Sequence, residues 1–277
     1  MFAHDVQGQD LRNAHSHMRT NPLTLENCQG RSFIENHGAG AERQANSWGP
    51  LATLGLGAVA AVGGQIPALL ACFWWRGVTP SHWAEIASDG VAVALLVGLS
   101  TPVQLGLLIW FAKKAGSTAV GYLALTLPSY RSLGVLAVTA MVLVIAGDGV
   151  SALSGRQVVD PFQINIYRSA ARAGAVPWLW LTLVAMAPIG EEVLFRGFLF
   201  RGWQRTRHEA AVAIGSTALV WAALHLQYSP IIMGQIFVVG LVLGWIRWFT
   251  GSTISTIVLH AALNAVGMIE TYITVNG

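Results

Sequence analysis

From residue 51 onward the chain repeats one pattern: apolar stretches of roughly 20 residues, long enough for a helix to cross a hydrocarbon core about 30 Å thick, joined by short polar links. Seven such segments are predicted, at about 51–75, 91–112, 133–153, 175–204, 209–228, 231–249 and 252–273, the fourth of them polar in its second half. Lipid offers no hydrogen bonds to a backbone, so segments of this length must satisfy their own N–H and C=O groups as helices. The fold class that follows is all-α, a polytopic transmembrane helix bundle of about seven to eight helices. Composition agrees. Of the 277 residues 54% are hydrophobic and 10% charged, and the mean hydropathy of +0.55 exceeds that of ordinary soluble domains.

Residues 1–48 differ in kind. They are rich in His, Asn, Gln, Arg and Gly and have too few large apolar side chains to fold alone. A disordered cytoplasmic tail is expected there, without the basic-then-apolar layout of a signal peptide. Its histidines, His4, His15, His17 and His37, follow no metal-site spacing, and no disulfide is expected between Cys28 in the tail and Cys72 in the first span. Behind the tail, residues 49–174 read as N-terminal transmembrane helices and 175–273 as a second, chemically distinct transmembrane block. The net charge of +3 is spread over loops, which gives no footprint for nucleic acid. Lys113, Lys114, Arg131, Arg201, Arg205 and Arg207 fall in links on one side of the predicted spans. By the positive-inside rule that side, with the N-terminus, is cytoplasmic in a multi-pass protein of the cell membrane; Arg156, Arg168 and Arg172 are the exception.

Charges at bilayer depth cost about 2.5–3.5 kcal/mol each on insertion scales, so each needs a protein interior or a water-filled cavity to face. The stretch APIGEEVLFRG, residues 187–197, holds three. Positions four apart share a helical face while neighbours diverge by about 100°. Glu192 can therefore pair with Arg196 while Glu191 points elsewhere. In VWAALHLQ, Trp221 stands one turn before His225, and in HAALNAVG, His260 stands one turn before Asn264. Counted at about 1.5 Å per residue from a hairpin tip near Arg205–His208, Glu191 and His225 lie level, and His260 reaches a similar depth. One layer open toward the cytoplasm is expected.

A carboxylate in such a layer suits a general base, and Glu191 is the candidate. His225 can hold and polarise the same water and carry its proton to a leaving amine. His260 and Asn264 offer N–H donors for a carbonyl oxygen as it becomes an oxyanion. Glu192 and Arg196 are structural support, as is Trp221. Together these parts describe hydrolysis of a peptide bond by activated water, with no cofactor and no metal. Structural readings stand beside this one: an ion cluster at a helix end, or polar side chains joining helices.

EEVLFR resembles the Glu-Glu-x-x-x-Arg motif of the CAAX-protease and bacteriocin-processing (CPBP) family, whose later motifs are aromatic-x-x-x-His and His-x-x-x-Asn or Asp. WAALH, residues 221–225, and HAALN, residues 260–264, match these in order. The resemblance covers about residues 175–270. It implies a glutamate-type intramembrane endopeptidase in which Glu191 and His225 activate water and His260 and Asn264 form the oxyanion site. The substrate stays open among prenylated C-terminal peptides (CAAX-type processing), bacteriocin precursors and membrane-anchored regulators, with membrane lipid and a peptide or lipidated protein as partners. Trp221 stands where the family usually has phenylalanine, a change expected to alter pocket shape rather than chemistry. Three rivals use the same residues. They are a zinc-dependent membrane protease with Glu191, His225 and His260 as ligands, a proton-coupled transporter, and a non-catalytic bacteriocin-immunity or scaffold protein.

Overall fold

The computed structural model describes residues 48–76, 88–206 and 208–277. The expected disordered tail, with His4, His15, His17, His37 and Cys28, lies outside the described residues but for its last position, and so does Arg207. Nine helices form among the described residues: α1 Pro50–Arg76, α2 Gly90–Lys114, α3 Ala119–Tyr122, α4 Tyr130–Leu153, α5 Pro161–Arg172, α6 Val176–Trp203, α7 Ala210–Ala223, α8 Pro230–Thr250 and α9 Thr253–Asn276. Local chemistry sets several of their starts. Asp89 Oδ1 accepts from the backbone N–H groups of Val91 and Ala92 ahead of α2, and Asp160 Oδ1 accepts from Phe162 ahead of α5, which has proline in its first turn. Gly251, with φ +66°, ends α8 in the left-handed conformation that favours glycine.

Six of these helices, α1, α2, α4, α6, α8 and α9, are long and apolar enough to cross a membrane, and the all-α polytopic bundle is as expected. The fifth predicted segment is corrected. Over 209–228 only α7 is helical, and its 14 residues span roughly 21 Å, less than the core thickness. His225 consequently sits beyond the helix, in the turn that leads to α8. The link with Arg156, Arg168 and Arg172 also holds more than a loop. Its α5 is amphipathic, burying Ile164, Ile166, Tyr167 and Ala170 while Asn165, Arg168 and Arg172 stay exposed.

The central element is α6, where every residue from Glu192 to Phe200 is buried. Against it pack α1, with Gly57 close to Leu194 and Leu199, the α3 region through Leu123, and α9. Hydrogen bonds define the two ends of the bundle. At one end Trp203 Nε1 donates to Pro50 O, and the Thr253 N–H and hydroxyl donate to Ala124 O and Leu123 O. At the other, Gly90 N donates to Ser169 Oγ, and the rings of Phe162 and Tyr228 meet edge to face.

Gly90 marks the tightest approach at this second end. A Cβ there would meet the backbone oxygen of Ile166 and lie 2.9 Å from Ala170 Cβ, so Gly90→Ala must push α2 away from α5. Overpacking of this kind costs about 1–3 kcal/mol. Thermal unfolding in detergent should show a lowered midpoint for Gly90→Ala and none for Gly106→Ala, a position where nothing lies within 4 Å.

Candidate active site

The site begins with an irregular stretch of α6. Pro188 has no N–H to give the carbonyl four residues back, and its ring crowds that carbonyl. The helix absorbs this by widening. Leu181–Met186 and Val193–Leu199 are π-helical, with Ala187 N–H bonding Thr182 O and Phe200 N–H bonding Phe195 O, each five residues back. Wide turns of this type are rare and frequent at functional sites. Ala187–Glu192 is a short α-helical stretch between them, and it carries both glutamates. From α2, Gln104 Nε2 donates to Gly190 O at 2.9 Å, and Thr101 packs 3.3 Å from where a Gly190 Cβ would sit.

Glu192 and Arg196 are both 0% exposed. Arg196 Nη1 donates to Glu192 Oε1 at 2.9 Å, and Nη2 to Gly240 O on α8 at 3.0 Å. The guanidinium also lies over the Trp221 ring, 4.9 Å from its centroid, at a favourable cation–π distance. Gly240 makes this possible: its carbonyl is reachable because α7 and α8 touch there, a Cβ at Gly240 lying only 2.9 Å from Ala218 Cβ. Glu192 Oε1 is also 3.0 Å from His260 Nδ1 on α9. Four helices thus meet at one buried ion cluster.

Trp221 is the hub between this cluster and the cavity beside it. Its Nε1–H donates to Glu191 Oε2 at 2.6 Å, a bond that phenylalanine cannot make. The expectation that tryptophan here changes only pocket shape is therefore corrected, because the indole N–H fixes the carboxylate. The imidazoles of His225 and His260 both meet this ring edge to face, with centroids 5.2 Å away. His225 Nδ1 is 2.8 Å from Trp221 O. A carbonyl only accepts, so Nδ1 holds the proton and the neutral ring keeps its lone pair on Nε2.

A cavity of about 670 Å³ brings the candidates together: Glu191, Trp221, His225, His260 and Asn264 all line it, while Glu192 and Arg196 lie behind its wall. Asn264 spends one amide N–H on Leu183 O at 2.8 Å. The expectation that this layer opens toward the arginine-rich end is corrected. The cavity extends from His260 and Glu191 toward the opposite end, between the C-terminal halves of α4 and α9, α5, and the α7–α8 turn. Depth counted along helices from one tip says how far a residue lies, not which way its neighbours leave room. Sequence reasoning also missed Asp148, Asp160, Gln163, Tyr228, Gln235 and Glu270 among the lining residues. Asp148 and Glu270 carried a signal, as lone carboxylates inside apolar spans. Among the described residues no group of three or more His, Cys, Asp or Glu side chains is arranged to hold a metal ion.

Comparison with known proteins falls on this same region. Residues 173–266 match the family model described as type II CAAX prenyl endopeptidase Rce1-like. Over 113 residues the chain is 27% identical to an uncharacterized 24.3 kDa protein of Escherichia coli, a match that takes in 40% of this chain and 51% of that protein. The chain thus spans about half the length of the curated relative it matches. No solved structure matches it significantly. Six helices able to cross a membrane make it a multi-pass membrane protein, and the segment that holds every residue of the cluster from Glu191 to Asn264 is similar to the Rce1-like type II CAAX prenyl endopeptidases.

Proposed function

We propose that the protein is a metal-independent, glutamate-type intramembrane endopeptidase of the CAAX-processing kind, with residues 175–273 as its catalytic core and 49–174 as the helices that brace it. The observation that supports this reading is that Glu191, His225, His260 and Asn264 all line one cavity. Water held between Glu191 and the Nε2 of His225 gives a proton to the carboxylate, and its oxygen attacks the scissile carbonyl carbon. The carbonyl oxygen takes the negative charge and is met by the N–H groups of His260 and Asn264. The C–N bond then breaks as the proton passes, through His225, to the leaving amine. Products are a shortened carboxylate and a free amine. The substrate is a peptide or lipidated protein, and the cavity's long aliphatic walls on α4 and α8, among them Val144 and Val239, suit a lipid-bearing segment.

His260 has a specific part in this scheme. With Nδ1–H donating to ionised Glu192, its Nε2 is a donor toward the cavity only as imidazolium. The bond to Glu192 fixes the His260 ring, so the buried cluster supports the oxyanion site as well as the fold.

The test is hydrolysis of a quenched fluorogenic peptide ending in a farnesylated CAAX sequence by the purified protein in proteoliposomes. Glu191→Gln and His225→Ala should each reduce cleavage to background while the protein inserts normally. Turnover unaffected by Glu191→Gln would end the proposal, and loss of wild-type turnover to strong chelators would favour the zinc reading instead. Trp221→Phe keeps the aromatic packing and deletes one hydrogen bond to a charged group, worth about 1.5–3 kcal/mol. Its kcat should fall roughly 10- to 150-fold, and the melting temperature should fall with it, by less than in Glu192→Gln. Glu192→Gln acts differently: it leaves Arg196 without its buried counter-charge, a loss of about 3–5 kcal/mol, and should appear first as a lowered melting temperature in detergent.

A further inference from the structure

The oxyanion donors of the site are fewer than the motif suggests. Asn264 has one amide N–H committed to Leu183 O, and His260 has its Nδ1 committed to Glu192. Another donor faces the same space. Tyr228 stands in the turn after α7, three residues beyond His225, and its backbone N–H bonds His225 O at 3.1 Å. Its ring lies nearly parallel to the His225 imidazole, 6.2 Å between centroids and 20° between planes. On its other side Phe162 of α5 meets it edge to face at 5.3 Å and 82°. The ring is therefore gripped by neighbours from two elements, and it lines the cavity alongside Glu191 and Asn264. Among the described residues its hydroxyl has no hydrogen-bond partner.

We propose, on the reading that this cavity hydrolyses a peptide bond, that Tyr228 is a further catalytic residue whose phenolic O–H donates to the scissile carbonyl oxygen as that oxygen gains charge. A donor of this kind acts only on the transition state, because a neutral carbonyl oxygen accepts weakly and an oxyanion strongly. The environment keeps the proton in place. Burial first, and then the negative charges of Asp160 and Glu191, hold the phenol above the usual tyrosine range, so it keeps its proton at neutral pH. The near-parallel His225 imidazole and the shared lining put Tyr228 beside the group proposed to activate water, so that donor and nucleophile can meet one substrate carbonyl.

The experiment is steady-state kinetics of Tyr228→Phe and Tyr228→Leu on the farnesylated CAAX peptide in proteoliposomes, with thermal unfolding measured in parallel. Tyr228→Phe keeps the ring and both of its packing contacts. It should lower kcat by about 10²-fold, the effect of losing one oxyanion donor, with KM within twofold of wild type and the melting temperature unchanged. Tyr228→Leu should fall at least as far. Full turnover by Tyr228→Phe overturns the proposal, and if Tyr228→Leu alone is impaired the ring is a mere prop for His225. A loss confined to KM overturns it too, because that is ground-state binding. These outcomes leave the hydrolase reading intact. Wild-type protein that shows no Glu191-dependent cleavage sinks that reading itself, and the Tyr228 role with it.

Discussion

One guanidinium, enclosed at bilayer depth, organises the site. An unpaired charge in that position is costly, and Arg196 is compensated from three directions: Glu192 on its own helix, the Gly240 carbonyl on α8, and the face of Trp221 on α7. Its backbone oxygen takes a further bond from Arg247 Nε at the end of α8. Glu192 carries the connection on to His260 of α9. Each partner fixes a helix that presents a cavity residue. Removing the cluster therefore does more than lower stability, since the rotation and depth of α7 and α9 relative to α6 are what align Trp221, His225 and His260 with Glu191.

Adjacent glutamates with opposite duties are a direct consequence of helical geometry. Neighbouring side chains diverge by about 100°, so when Glu192 turns inward to Arg196, Glu191 must leave the cluster and enter the cavity. The widened turns on either side let the helix make this switch around Pro188, and Gln104 on α2 holds the Gly190 carbonyl next to the carboxylates.

What was legible in the sequence followed from local periodicity. Spans of about 20 apolar residues announced the helices, and a spacing of four announced the Glu192–Arg196 pair, since both depend only on one helix's own geometry. Readings that needed a second helix failed more often. WAALH shows an aromatic one turn before a histidine, but whether the indole N–H meets solvent, lipid or Glu191 depends on how α7 sits against α6. The early end of α7 was hidden because Leu224 and Leu226 continue the apolar run after the helix has stopped. Asp148, Tyr228 and Glu270 looked like isolated polar residues in or beside spans. Only the convergence of α4, the α7–α8 turn and α9 makes them neighbours of one cavity, and no pattern along a single segment encodes that convergence.

The same packing divides proton chemistry between two environments separated by one ring. On the enclosed side of Trp221, Glu192 and Arg196 form a closed pair at 2.9 Å, and neither lines the cavity, so neither is available to a substrate. On the open side, Glu191 holds one oxygen on the indole N–H, which leaves the other for water, and the neutral form of His225 has its lone pair on Nε2 because Nδ1–H is tied to Trp221 O. In the proposed reaction, acceptors for the proton of water lie on the His225 side and the oxyanion is met from the His260 and Asn264 side. On that reading a peptide carbonyl lying between them would meet its nucleophile and its charge stabiliser from different elements, the arrangement that transition-state complementarity requires.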